Sequence, residues 1–157
     1  MRRGGRLIVV ADTTEPDPVG TEPYRKMLRL LRETGPAEFT RLIQQTDWHF
    51  VHDQWEAQMW AKLLFRVPAQ NFFYFSPQTA LEDYAVLQCV DPAPLLREMP
   101  ETGTGRSVAG FVRAALARAR RESESALGGP PKIAYLADGP HCVPVGAAEP
   151  ANAPARD

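Results

Sequence analysis

Apolar and polar positions alternate along the chain with periods that mark out discrete elements. Leu7-Ile8-Val9-Val10-Ala11 is a short continuous apolar run rich in β-branched residues, which predicts a strand buried on both faces. Pro16, Pro18 and Gly20 make the stretch from Thr13 to Gly20 a loop. Thr21-Glu22-Pro23 then predicts a helix start, with Thr21 as N-cap and a proline in the first turn. Met27, Leu30 and Leu31 supply one buried face, and Gly35-Pro36 stops this helix. A second helix is predicted from Ala37 to Gln45, with Phe39, Leu42 and Ile43 inward. After a connector from Thr46 to His52, Asp53 reads as the N-cap of a helix running from Gln54 to about Phe65. Its rows Trp55/Met59/Leu63 and Trp60/Leu63/Leu64/Val67 predict burial on more than one side, and Pro68 ends it.

The second clear strand is Asn71-Phe72-Phe73-Tyr74-Phe75, followed by a helical turn from Ser76-Pro77 to Asp83. Val86 to Val90 is expected as a short third strand, and Pro100 to Gly105 as a loop. Ser107 is expected to cap the longest helix, whose apolar face is Val108, Phe111, Val112, Ala115, Leu116 and Ala119 and whose outer face is rich in arginine. Gly128-Gly129-Pro130-Pro131 terminates it. Lys132-Ile133-Ala134-Tyr135-Leu136-Ala137 is expected as the last strand. Alternating strands and helices predict the α/β class: one domain over 4–145, a small, mostly parallel sheet flanked by helices, and a disordered tail over 146–157. Ligands of such sheets sit beyond the carboxyl ends of the strands, which nominates Asp12 to Gly20, Ser76 to Thr79 and Asp138 to Val143.

Composition narrows the function classes. A chain of 157 residues can bury roughly 68–70% of its unfolded surface, so no staple is needed for a core. The net charge of -1 removes the simplest case for nucleic acid or an anionic membrane as partner. No stretch approaches the roughly 18 apolar residues of a membrane span. The apolar run after Met1-Arg2-Arg3 is too short for a signal peptide and is followed at once by Asp12. Two cysteines, Cys89 and Cys142, fit a reducing compartment, so a cytoplasmic protein is expected. Lysine occurs only at positions 26, 62 and 132, which leaves few amines for covalent or cofactor-tethering chemistry.

The chemical constellations are sparse. Gly103-Thr104-Gly105-Arg106-Ser107 precedes a helix but fails both phosphate-loop patterns, with Pro100, Arg106 and Val108 where Gly, Lys and a small residue are required. His49, His52 and Asp53 lack the third strong ligand that zinc wants; the competing expectation is that His52 and Asp53 hydrogen-bond at a helix N-terminus. His141 and Cys142 are adjacent, an arrangement that rarely aims both side chains at one substrate atom. Trp60 is expected in the core, whereas Trp55, in the first turn among polar Asp53, Gln54, Glu56 and Gln58, suits the apolar wall of a small-molecule cleft.

Three of these segments together resemble the carboxy-terminal domain of the nickel-dependent lactate racemase family. They are Gly4-Gly5-Arg6-Leu7-Ile8-Val9-Val10-Ala11, then His52-Asp53-Gln54-Trp55-Glu56-Ala57-Gln58 with Ala61, then Leu136-Ala137-Asp138-Gly139-Pro140 with Val143-Pro144. The resemblance spans about Gly4 to Val145. It implies a 2-hydroxy-acid racemase or epimerase, in which hydride leaves the substrate carbon for a nickel pincer nucleotide and returns to either face of the keto acid. The cofactor does the hard chemistry and the protein orients it.

In the family, the cofactor lysine, the nickel-ligand histidine and the catalytic histidines belong to a larger amino-terminal domain with no counterpart in this chain. The resemblance therefore implies no catalytic residue, metal or cofactor on this chain alone, and a separately encoded amino-terminal domain as partner. Trp55 matches a family tryptophan near the active-site cleft, with Asp53, Gln54 and Gln58 as its helix neighbours. Asp138, Gly139 and Pro140 match a motif expected to be a structural turn; Ala137 stands where the family tends to have proline, and Thr13 to Gly20 lacks the family's glycine-bearing pattern. Two other readings stand beside this one: a non-catalytic α/β binding or interaction module, and a gene fragment.

Overall fold

A computed structural model describes residues 5–11, 19–97 and 108–136. The element order is β1 (Leu7–Val10), α1 (Glu22–Ile43), α2 (Gln54–Leu64), β2 (Phe72–Phe75), α3 (Pro92–Arg97) and α4 (Val108–Leu127). Short 3-10 turns at Ala69–Asn71 and Leu81–Ala85 flank β2. The molecule is α/β, with a small parallel sheet between helices.

The sheet joins β1 and β2 in parallel, with Leu7 opposite Phe72, Ile8 opposite Phe73, Val9 opposite Tyr74 and Val10 opposite Phe75. Because side chains alternate across a strand, the two faces of β2 take different helices. Phe72 and Tyr74 meet Trp60 of α2, at ring-centroid distances of 5.3 and 6.1 Å. On the opposite face, Phe75 stacks on Phe111 of α4 at 4.7 Å and the Arg118 guanidinium lies 5.6 Å from the Phe73 ring. The order of layers is therefore α2, sheet, α4.

Local sequence explains the helix boundaries. Thr21 caps α1, its hydroxyl accepting the Tyr24 backbone N–H. Gly35 has φ 78 and ψ 164, a conformation essentially reserved for glycine, and with Pro36 it kinks α1 into the two predicted segments. Met27, Leu28, Leu31 and Phe39 are buried along it. Gly128, at φ +70, ends α4 with its N–H bonded to the Glu124 carbonyl. In α4, Phe111, Ala115 and Ala119 are buried as the periodicity predicts, and Ser123 continues the same face.

Four expectations need correction. The sheet has two strands among the described residues, because Val86 to Val90 forms a turn; Val90 contributes one N–H to the Phe72 carbonyl. Residues 130–136 run without regular structure and expose Ile133, Tyr135 and Leu136. β1 is half-buried rather than buried on both faces, with Val10 exposed. The helix α2 is covered by α1 and, through Trp60, by the sheet, as the Trp60/Leu64/Val67 row predicts, but its Trp55/Met59 row is not covered. Its buried residues are Gln54, Ala57, Ala61 and Leu64, while Trp55 and Met59 face solvent. Small alanines at i, i+4 let α2 pack closely on α1, while Trp60 turns to the sheet and Trp55 and Met59 are left outside. The expected cap Ser107, the loop from Pro100 to Gly105, and everything from Ala137 onward lie outside the described residues.

Candidate functional site

The resemblance-carrying residues 52–58 sit where the N-termini of α1 and α2 converge. Asp53 precedes α2 in the left-handed region, at φ 61, and its side chain does not cap α2 as expected. It reaches instead to α1: Asp53 Oδ2 accepts the Thr21 hydroxyl at 2.7 Å and pairs with His52 Nδ1 at 2.9 Å. The Thr21 hydrogen bond, then His52, hold the Asp53 carboxyl below the usual aspartate range. Thr21 thus serves both helices at once, a role with no sequence signature beyond its own capping position.

Gln54 is buried although polar, and its hydrogen bonds account for that. Its Oε1 accepts the Trp48 indole N–H at 2.7 Å and the Val51 backbone N–H at 3.4 Å. This fastens the connector before α2 to the helix. Glu56, half-buried in the first turn, has its carboxyl pushed up by burial and by the negative charge of Asp53. Tyr24 beneath it is raised well above the ordinary phenol range, again by burial first and then by Glu56.

Trp55 stands apart from these anchors. It is 61% exposed, and Met59, one turn on, is 54% exposed. Lys62 lies beside Met59, with Nζ 4.0 Å from the thioether sulfur. Lys62, Phe65 and Arg66 line a shallow surface depression at the far end of the helix. Phe50, in the connector, is 74% exposed. Gln58 is half-buried three residues from Trp55, on the neighbouring side of the helix. With Asp53 and Gln54 anchored, Trp55 and Met59 form an outward apolar pair on α2 that can pack against a ligand or a second protein surface. Sequence reading identified Trp55 and missed Met59, Phe65 and Phe50; the Ala57/Ala61 spacing was the available signal for which side of α2 faces in.

The other nominated positions fare differently. Beyond the end of β2, Ser76 and Thr79 are buried, and the Tyr84 hydroxyl plugs the turn by accepting the Ser76 N–H at 3.0 Å and donating to the Ser76 carbonyl at 3.1 Å. That segment is closed by its own residues. His49 is tied to the Asp47 carbonyl and does not join His52. Cys89 is held from reaction by burial, which pushes its thiol up to about 12. Asp138, Gly139, Pro140, His141, Cys142 and the Gly103 to Ser107 loop lie outside the described residues.

A nickel pincer nucleotide requires a tethering lysine and a metal ligand set. Among the described residues no three His, Cys, Asp or Glu side chains gather. Lys26, Lys62 and Lys132 are all exposed, on three separate segments. These residues do not fit the group, and no chemical step is assigned to it on this chain. Among the described residues no helix is long and apolar enough to cross a membrane. No protein-family model, curated protein or solved structure matches the chain.

Proposed function

We propose that this chain is the carboxy-terminal α/β domain of a lactate-racemase-like 2-hydroxy-acid racemase or epimerase. On this reading a cofactor-bearing amino-terminal domain completes the cleft and supplies the nickel pincer nucleotide and the reacting groups. The chain contributes the Trp55 side of the cleft wall, against which a small 2-hydroxy acid is held, and is inactive by itself. A cytoplasmic setting belongs to the same proposal and agrees with the free thiol at Cys89.

One observation carries the reading: in the segment 52–58, Asp53 and Gln54 are spent on fixing α2, while Trp55 is turned outward at 61% exposure. A tryptophan that served only the core would be buried like Phe73 or Phe111. The same exposed row also suits a non-catalytic interaction module, and one experiment separates the two. The purified chain is mixed with an amino-terminal domain of the lactate racemase type carrying its cofactor, and racemisation of L- and D-lactate is followed. The mixture is expected to racemise lactate while the chain alone does not. Trp55→Ala should lower the mixture's rate at least tenfold, about 1.4 kcal/mol of transition-state stabilisation, without lowering the chain's Tm. Association without any turnover would favour the interaction module.

A further inference from the structure

Among the described residues the sheet has two strands. β1 is a continuous apolar run, Leu7-Ile8-Val9-Val10, of the kind that occupies the centre of a parallel sheet, yet among the described residues it pairs on one edge only and none of its residues is fully buried. Residues 132–136 show the complementary deficit. They are rich in strand-forming side chains, they form no regular structure, and Ile133, Tyr135 and Leu136 are 52%, 87% and 63% exposed.

Connectivity and handedness assign these two deficits to each other. The crossover from β1 to β2 places α2 on one face of the sheet, and the chain leaving β2 places α4 on the opposite face. Crossovers between parallel strands are right-handed in about 98% of cases. With α4 on the opposite face, a right-handed return must travel back from β2 past β1, so the next strand belongs on the free edge of β1. The other edge of the sheet is also partly taken, since the Phe72 carbonyl of β2 accepts the Val90 N–H. The end of α4 is already at the correct end of β1. Arg6, just before β1, bonds Glu122 Oε2 at 3.0 Å and Ser123 Oγ at 2.9 Å. From there Gly128-Gly129-Pro130-Pro131 leads to Lys132, and at roughly 3.1 Å per residue for an extended proline-rich link this crosses the approximately 10 Å between a helix layer and its sheet.

We propose that residues 132–136 dock on the free edge of β1 of their own chain as a third parallel strand, and that the extended segment in the structure is the released state of this strap. Docking pairs the edge amides and carbonyls of β1, and it covers the exposed side chains of both partners. An exposed, apolar strand edge is a template for other chains, so the strap also protects the monomer from edge-to-edge association. This inference is independent of the proposed racemase relationship.

Amide hydrogen exchange on the full chain, read residue by residue, tests it. In the monomer alternate amides within 133–136, those directed at β1, should exchange about tenfold or more slower than the unfolded-chain rate. Ala134→Pro and Tyr135→Pro, one of which removes a ladder donor in either register, are compared: one of the two should erase that protection and speed the edge amides of β1 while leaving those of α1 and Phe111 to Ala119 unchanged. Unfolded-chain rates at 133–136 in the wild-type protein would overturn the proposal without any need for the variants. Protection that disappears on dilution, together with a dimer in size-exclusion chromatography, would also overturn it, because the strap would then pair with a second copy.

Discussion

At Asp53 a single carboxylate links two helix N-termini, and its consequences are electrostatic. A carboxyl held below its usual range in the folded chain adds stability above its unfolded pKa, and that contribution is lost as pH falls through the folded value. Asp53→Asn keeps the left-handed backbone that asparagine tolerates and removes the titration. Melting curves between about pH 2 and 5 should therefore show a shallower loss of Tm on acidification in the variant than in the wild type. Gln54 anchors by geometry instead. Gln54→Leu leaves the Trp48 indole N–H without its acceptor and should cost about 1–3 kcal/mol in urea unfolding. Gly35→Ala should cost about 1–3 kcal/mol from backbone strain alone, since a Cβ there meets nothing within 4 Å.

The helix α2 shows how far an element can be read from its sequence. Its extent and the terminators around it follow from local chemistry: Pro68 beyond its end, and a polar first turn. Its orientation follows only in part: the Trp60 side faces the sheet as expected, but the periodicity placed Met59 inward, where the packing uses Ala57 and Ala61. Close approach of two helices favours small residues over apolar ones, and only the position of α1 reveals it. Ala61→Leu should thus destabilise the chain by about 1–3 kcal/mol through overpacking, while Met59→Lys should stay within about 0.5 kcal/mol of wild type. Chemical denaturation of the two variants side by side checks the orientation. The kink at Gly35-Pro36 and the α4 face from Phe111 to Ala119 were legible because each rests on residues within one element. The turn at Val86 to Val90 was not: a short apolar run carries no period, and its fate depends on whether a neighbouring strand offers a partner. At the site, Trp55 was legible as an exception in a polar turn, but the Thr21 to Asp53 bond joins positions far apart in sequence.

At the scale of the whole molecule, the α/β architecture is asymmetric. The face of β2 toward α4 is closed by Phe73, Phe75 and Phe111, each with no exposed surface, whereas among the described residues nothing pairs with the second edge of β1, and Trp55 and Met59 on α2 are exposed. Phe50, Trp55, Met59 and Phe65 lie in the connector, along α2 and just beyond it. Exposed apolar side chains of this kind gain stability when another apolar surface covers them, as the proposed amino-terminal domain would. The most direct test is lactate racemisation by the chain alone, by a cofactor-loaded amino-terminal domain alone, and by the two together. The account predicts turnover only in the pair, and a loss of at least tenfold when the chain carries Trp55→Ala; racemisation by the chain alone, or a pair that stays inactive, would contradict it.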